Sequence, residues 1–272
     1  MKNFIKSLLF LLFLFVSSQV FADNLKEGKR LFDAGQYKEA MSFLMKSDTQ
    51  PNPDAMNLIG YMYDTGSGVK RNPGKAFYWY QKAARSGLPA AQFNLGLMYQ
   101  HGEFVSKNLI EAAQWFRRAA DQNYPDAEMK MGYLNATGTG VKKDYIEAMK
   151  WYRKAEEHGD KEAYGYIGLF YAKGLGVKKD LNHAVQYYIT GAQKGDAKSQ
   201  VLLANAYSKA KGIGYDSEKA LYWYKQAGKN GSIEAMKELG DIYETGRLGV
   251  KKDERESRYW KDIAEKAEKK QK

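Results

Sequence analysis

The chain has 272 residues, with 43 Lys and Arg against 32 Asp and Glu, a formal net charge of +11 and no cysteine. The missing thiols exclude a disulfide framework, thiolate nucleophiles and cysteine-based zinc sites. Stability must come from packing, for which this length and an aromatic content of 14% supply ample core material.

The first 22 residues have the composition of an export signal. Lys2 and Lys6 form a short basic region, Leu8 to Val16 is unbroken apolar sequence, and Ser17-Ser18-Gln19 leads into Val20-Phe21-Ala22. This small-x-small ending predicts cleavage after Ala22, before Asp23. Nine apolar residues fall short of the roughly 20 that span a bilayer, and no cysteine follows to carry a lipid anchor. An exported chain, periplasmic or secreted, is therefore expected, its net charge reduced to +9 by loss of the two leader lysines.

Beyond the leader the sequence repeats every 36 residues. Gly60, Gly96, Gly132, Gly168 and Gly240 share one grid, with Ala204 in the remaining slot, and Ala40, Ala76, Ala112, Ala148, Ala184 and Ala220 share another. A period of this size marks an array in which each unit buries its apolar face against its neighbours. The predicted fold class is all-α, an α/α superhelical solenoid of about seven antiparallel helix pairs.

Within Pro53 to Leu88, Ala55, Ile59, Met62 and Tyr63 form one face of a first helix, and Gly66-Ser67-Gly68 stops it. Asn72 suits an N-cap and Pro73 the first helical position; Ala76, Trp79, Tyr80, Ala83 and Ala84 then stripe a second helix, which Gly87 closes. Asn108 with Glu111, Asp144 with Glu147 and Asp253 with Glu256 have capping-box spacing. A glycine inside a first helix costs about 1 kcal/mol relative to alanine, yet it recurs, so a neighbouring aromatic ring or backbone is expected to approach closely there. Trp79, Trp115, Trp151, Trp223 and Trp260 share one repeat position, the last after one inserted residue near Arg247-Leu248-Gly249, and are assigned to the core.

The resulting division places a capping unit at 23–52, units at 53–88, 89–124, 125–160, 161–196 and 197–232 (the last degenerate), a seventh unit with C-terminal cap at 233–268, and a polar tail at 269–272. The segments Leu95-Gly96-Leu97-Met98-Tyr99, Gly138-Thr139-Gly140-Val141-Lys142-Lys143-Asp144 and Ala148-Met149-Lys150-Trp151-Tyr152-Arg153-Lys154-Ala155 resemble the Sel1-like repeat, over roughly residues 53 to 264. The first unit, with Leu31, Gly35, Tyr37 and Ala40, is similar to the related tetratricopeptide repeat. The resemblance implies a scaffold or adaptor that contacts other proteins, in envelope signalling or host interaction, with no shared catalytic residues. Some cysteine-rich relatives have been described as penicillin-binding or β-lactamase-like; their cysteine pairs are missing here.

Chemistry-bearing patterns are few. Ser67…Lys70 and Ser208…Lys211 match S-x-x-K, but the S-D-N and K-T-G partners of penicillin-interacting serine enzymes do not occur, and both serines are expected in turns. His101, His158 and His183 share no ligand spacing, so they are assigned to helix ends and surfaces and no metal is expected. Gly66, Gly138 and Gly174 begin G-x-G triplets that lack the third glycine of a dinucleotide fingerprint; no cofactor is expected.

Two features escape the repeat. Lys70, Arg71, Lys107, Lys142, Lys143, Lys178, Lys179, Lys251 and Lys252 occupy equivalent loop positions, a basic edge suited to anionic envelope components or to solubility alone. Positions two before and one after each grid glycine are candidates for an inner, partner-binding stripe: Leu58 and Tyr61, Asn94 and Leu97, Lys130 and Tyr133, Tyr166 and Leu169, then Leu202 and Asn205, and Glu238 and Asp241. An amphipathic groove of this kind suits a peptide or partner helix, while packing between neighbouring first helices would use the same residues. The expected function is non-enzymatic binding of a protein or peptide, the alternatives being a β-lactamase-like or peptidoglycan-acting envelope enzyme and an electrostatic binder of envelope anions. No nucleic-acid partner is expected of an exported chain, and the oligomeric state stays open.

Overall fold

The computed structural model describes residues 24–46 and 52–271, and every regular element among them is helical. The expected leader and its cleavage point lie outside these residues. The elements are α1 (24–33), α2 (Tyr37–Lys46), α3 (Pro53–Thr65), α4 (Pro73–Arg85), α5 (Pro89–His101), α6 (Leu109–Ala120), α7 (Pro125–Thr137), α8 (Tyr145–Glu157), α9 (Glu162–Lys173), α10 (Leu181–Gln193), α11 (Ala197–Ser208), α12 (Ser217–Lys229), α13 (Ile233–Thr245) and α14 (Glu254–Gln271). The residue inserted before Trp260 is taken up by a short 3-10 turn, Arg247–Gly249, in which Leu248 has φ +58°. Residues 269–271, expected as a polar tail, continue the last turn of α14.

The caps explain where the helices begin. Asn72 accepts from the Lys75 amide at 3.0 Å, Asn108 from Glu111 at 3.0 Å, and Asp144 from Ile146 and Glu147 at 2.9 and 3.0 Å. The reciprocal half of the capping box does not form. The amides of Asn72, Asn108, Asp144 and Asp253 already donate to the carbonyls of Tyr63, Tyr99, Asn135 and Tyr243 on the preceding helix, at 2.7–3.0 Å. This bond clamps the two helices of a pair at one end. Glutamates are thereby released for another role: Trp115 Nε1 donates to Glu111 at 2.9 Å, and Trp260 Nε1 to Glu256 at 3.2 Å.

The chain divides into two compact units. One holds the described residues up to Ala127 together with Thr139–Val141. In it α3 packs on α4, α4 on α5 and α5 on α6, around Leu44, Ile59, Met62, Trp79, Tyr80, Leu95 and Met98. Buried Gln92 is satisfied at both ends, donating to Ala84 O at 3.3 Å and accepting from Gln122 at 2.9 Å.

The other unit comprises Glu128–Gly138 and Lys142–Lys272. Its described helices pack in sequence from α8 to α14, each against the next. Core residues include Tyr152, Ile167 and Phe170, then Tyr188 and Leu203, then Tyr224, Leu239, Ile242 and Trp260. Glu128 and Gln200 occupy the repeat position of Gln92: Glu128 meets His158, and Gln200 donates to Ala192 O at 3.1 Å and accepts from Asn230 at 2.9 Å. α5, α7 and α11 are thus pinned to the corners that close their own pairs.

Candidate functional site

In the first unit, Tyr61 on α3 is 40% exposed and its ring meets Phe32 edge-on at 5.5 Å. Leu58 is half-buried against the core. Asn94 donates to Asn57 Oδ1 at 3.0 Å, tying α5 to α3, and Leu97 is half-buried. The stripe here is therefore mixed, with one member open to a partner and others engaged between neighbouring first helices.

In the second unit Tyr133 is 48% exposed, whereas Lys130 is half-buried and burial pushes its ammonium below the usual lysine range. Tyr166 stacks on Tyr152 with centroids 4.9 Å apart, and the Lys198 ammonium lies 4.0 Å above its ring. Leu169 lies farther along α9 and lines a cleft of about 500 Å³ bounded by α9, α10 and α11. Leu202 and Asn205, the stripe residues of α11, line the same cleft. Lys173, Lys179, Lys209 and Lys211 surround it, with Glu234 as the one acidic group.

The basic-edge residues are all exposed. Arg71 is structural: its Nε donates to Asp64 O at 2.7 Å and its guanidinium pairs with Glu103 at 2.8 Å. Lys143 lies 4.7 Å from the Tyr145 ring centroid. Lys70, Lys107, Lys142, Lys178, Lys179, Lys251 and Lys252 form no ion pair with a described residue. A local geometry recurs within each unit, since the first atoms of the Arg71, Lys107, Lys143 and Lys179 side chains sit against Gly66, Gly102, Gly138 and Gly174.

The S-x-x-K serines are spent locally. Ser67 Oγ lies 2.8 Å from Thr65 Oγ1. Ser208 is the last residue of α11 rather than part of a turn, and donates to Asn205 O at 3.2 Å. Neither opens a helix, as an acylated serine of that class would. His183 stacks on Tyr171 at 4.3 Å, beside Arg153, which donates to the hydroxyls of Tyr187 and Tyr171 at 2.7 and 2.9 Å. Among the described residues no group of three or more His, Cys, Asp or Glu side chains could hold a metal ion, and no helix is long and apolar enough to cross a membrane.

The Sel1 repeat matches residues 53–88, 89–124, 125–160, 161–196, 197–232 and 233–260. The chain belongs to the Sel1 repeat family. It is similar to a Sel1 repeat protein from Oxalobacter formigenes, with 55% identity over 89% of this chain and 96% of that one and a TM-score of 0.86. It is also similar to c5321, a protective antigen of uropathogenic Escherichia coli with the same fold, at 29% identity over 90% of this chain and 61% of that one, TM-score 0.67. The immunity protein Pa5087 of Pseudomonas aeruginosa shares the fold alone, at 20% identity over 80% of this chain and 83% of that one, TM-score 0.54. No curated protein matches the chain. Sel1 repeats are commonly protein-interaction modules, and proteins built from them are generally non-catalytic scaffolds.

Against the Sel1 repeat pattern, three local features stand out that residue-type spacing alone did not single out. Lys173, Lys209 and Lys211 complete the rim of the cleft. Glu128, fully buried, holds His158 Nδ1 at 2.8 Å, so this histidine is more than a helix-end residue. Phe104, 67% exposed, stands at φ +64° in a loop slot that other repeats fill with glycine. The signal for Phe104 and the cleft was the same: a residue that breaks the grid, Phe104 for a glycine there and Ala210 for the glycine that caps other first helices.

Proposed function

We propose that this Sel1 repeat protein is an exported, non-enzymatic scaffold that binds a protein or peptide on the first-helix faces of its repeats. The observation that carries the proposal is the exposure of Tyr61 and Tyr133, two large aromatic side chains at one repeat position whose equivalents elsewhere are smaller or polar. Tyrosine offers large contact area with little rotamer entropy to lose, which suits a binding surface. Export is supported by the basic and apolar leader ending in Ala22. The family supplies the general expectation of protein binding without catalysis.

Affinity capture from envelope and host-cell extracts tests the scaffold. Replacing Tyr61, Leu97 and Tyr133 with serine is expected to abolish capture while helical circular dichroism stays unchanged; capture that survives removes the stripe from the argument. Export is tested by the mass of the protein recovered outside the cytoplasm, which should lack residues 1–22. The purified protein should leave a chromogenic β-lactam intact. Hydrolysis that is lost on Ser67→Ala or Ser208→Ala would replace the scaffold with an enzyme.

A further inference from the structure

We infer that the cleft bounded by α9, α10 and α11 seats an acidic peptide segment that carries a large apolar side chain. This rests on the scaffold proposal and names the partner chemistry for one part of it. The floor is aliphatic, built by Leu169, Leu181, Val185 and Leu202. Its volume of about 500 Å³ falls within the range of ligand clefts. The rim is cationic: four lysines reach it from the end of α9, the loop before α10 and the turn after α11, against the single carboxylate of Glu234.

None of these four lysines is in an ion pair with a described residue. Several charges around α13 and α14 of the same unit are paired: Lys261 with Glu244 at 2.9 Å, Arg247 with Glu238 at 3.1 Å and Lys237 with Glu268 at 2.5 Å. Uncompensated charge of one sign around an apolar recess is the complement of an anion with an apolar part. The position of the cleft follows from the degenerate repeat. α11 ends at Ser208, one residue earlier than the period of α3, α5, α7 and α9 places it. Ala210 then takes a left-handed conformation, φ +50°, where other repeats use a capping glycine. Lys209 and Lys211 flank that residue and both reach the rim.

Several ammonium groups from separate segments match several carboxylates, whereas a fatty acid brings one. A membrane surface is flat, and this floor is recessed between helices. The occupant that answers both is a peptide whose apolar side chain enters the recess while flanking Asp or Glu side chains meet the lysines. Leu169, Leu202 and Asn205 belong to the inner stripe, so the segment would lie on the first-helix face.

The test uses the full chain and three fluorescein-labelled synthetic peptides of alternating composition: Glu with Leu, Glu with Ser, and Lys with Leu. The Glu/Leu peptide is expected to bind, more weakly as salt rises, and the other two to bind at least roughly tenfold less well. Reversing charge in the exposed turn, Lys209→Glu with Lys211→Glu, should weaken Glu/Leu binding by at least roughly tenfold without changing helicity. Equal binding of Glu/Ser would reduce the cleft to a general polyanion attractor and overturn the inference. So would insensitivity to the lysine reversal, or displacement of the peptide by decanoate. If the Tyr61 and Tyr133 variants lose the captured partner while lysine reversal leaves Glu/Leu binding intact, the scaffold stands and the cleft assignment falls. If the cleft binds as expected while those tyrosine variants retain capture, the Tyr61 and Tyr133 part of the stripe falls and the cleft stands.

Discussion

The ring of Tyr152 fills the space that a side chain on Gly132 would need: a Cβ built there would lie 2.5 Å from Tyr152 Cε1. The same relation joins Gly60 to Tyr80, Gly96 to Phe116 and Gly168 to Tyr188. These rings belong to the second helix of each pair and are buried, so the grid glycine is what lets the two helices close on an aromatic spacer.

Gly132→Ala sets two effects against each other. Alanine gains about 1 kcal/mol in helix propensity, while overpacking a tight core costs about 1–3 kcal/mol. With the ring buried and its helix held at both ends, overpacking should win, and urea denaturation should show a net loss of up to about 2 kcal/mol. The native Ala204 gives the control: Ala204→Gly should also destabilise, by about 1 kcal/mol, because there the methyl is already accommodated. A Gly132→Ala protein as stable as the parent would mean that Tyr152 can move aside.

This glycine grid is also why so much of the fold was legible. Grid glycines, capping Asn and Asp residues and the aromatic stripes each occur several times, so the period averages out local ambiguity and assigns helix pairs directly. What depends on one repeat alone was not legible. The glutamates of Glu111 type have capping-box spacing, yet the N-cap amide is already used by the preceding helix, a tertiary bond that spacing does not reveal. The candidate stripe was visible as a set of positions, but Asn94 and Tyr166 turn out to be engaged with Asn57 and Tyr152, while Tyr61 and Tyr133 are exposed. The cleft depends on α11 ending one residue early; Ala210 in place of the capping glycine marks the spot in the sequence, but not the cleft that results.

The Glu128–His158 contact supplies a second prediction. Both carboxylate oxygens lie within 3.0 Å of His158 Nδ1, and Glu128 is fully buried. His158→Ala removes the partner of a buried acid and should cost about 3 kcal/mol, the low end for such pairs because the histidine itself is partly exposed. Met56 and Met236 occupy the same repeat position in other units, so the slot accepts an apolar side chain. Glu128→Met combined with His158→Ala should therefore recover most of the loss. If the double variant is no more stable than His158→Ala, the histidine contributes packing and not charge or hydrogen bonding.

Phe104 provides a third. Its left-handed backbone costs about 1–2 kcal/mol for a residue with a Cβ, whereas Gly68, Gly140, Gly176 and Gly212 meet the same demand freely at φ +66° to +75°. The ring rests 5.7 Å from Phe77 and over Gly74, where an added Cβ would come within 2.9 Å of it. Phe104→Ala keeps the strain and loses the contact; Phe104→Gly relieves the strain. The glycine variant should be the more stable of the two by about 1–2 kcal/mol in urea denaturation. Gly74→Ala should destabilise the parent protein and stabilise the Phe104→Gly protein, since only the parent has a ring in the way. Additive effects in that double-mutant cycle would separate the two residues.

The buried tyrosines predict how the protein fails in alkali. Desolvation by burial raises the Tyr80, Tyr152 and Tyr224 phenols above the ordinary tyrosine range and pushes Tyr188 up to about 12. The folded state therefore holds these phenols neutral while the unfolded chain ionises near pH 10. A folded pKa above the unfolded one gives stability that is fully present below about pH 10 and is lost as pH rises through the folded value. The melting temperature should fall steeply between about pH 10 and 12, and tyrosinate absorbance from the core phenols should appear together with loss of helical signal. Tyr188→Phe removes one ionisable group from this set without enlarging the side chain, so its stability relative to the parent should rise across that window. If the four tyrosine-to-phenylalanine variants all leave the alkaline transition where it is, ionisation of these buried phenols does not drive it, and the repulsion of exposed charge must do so instead.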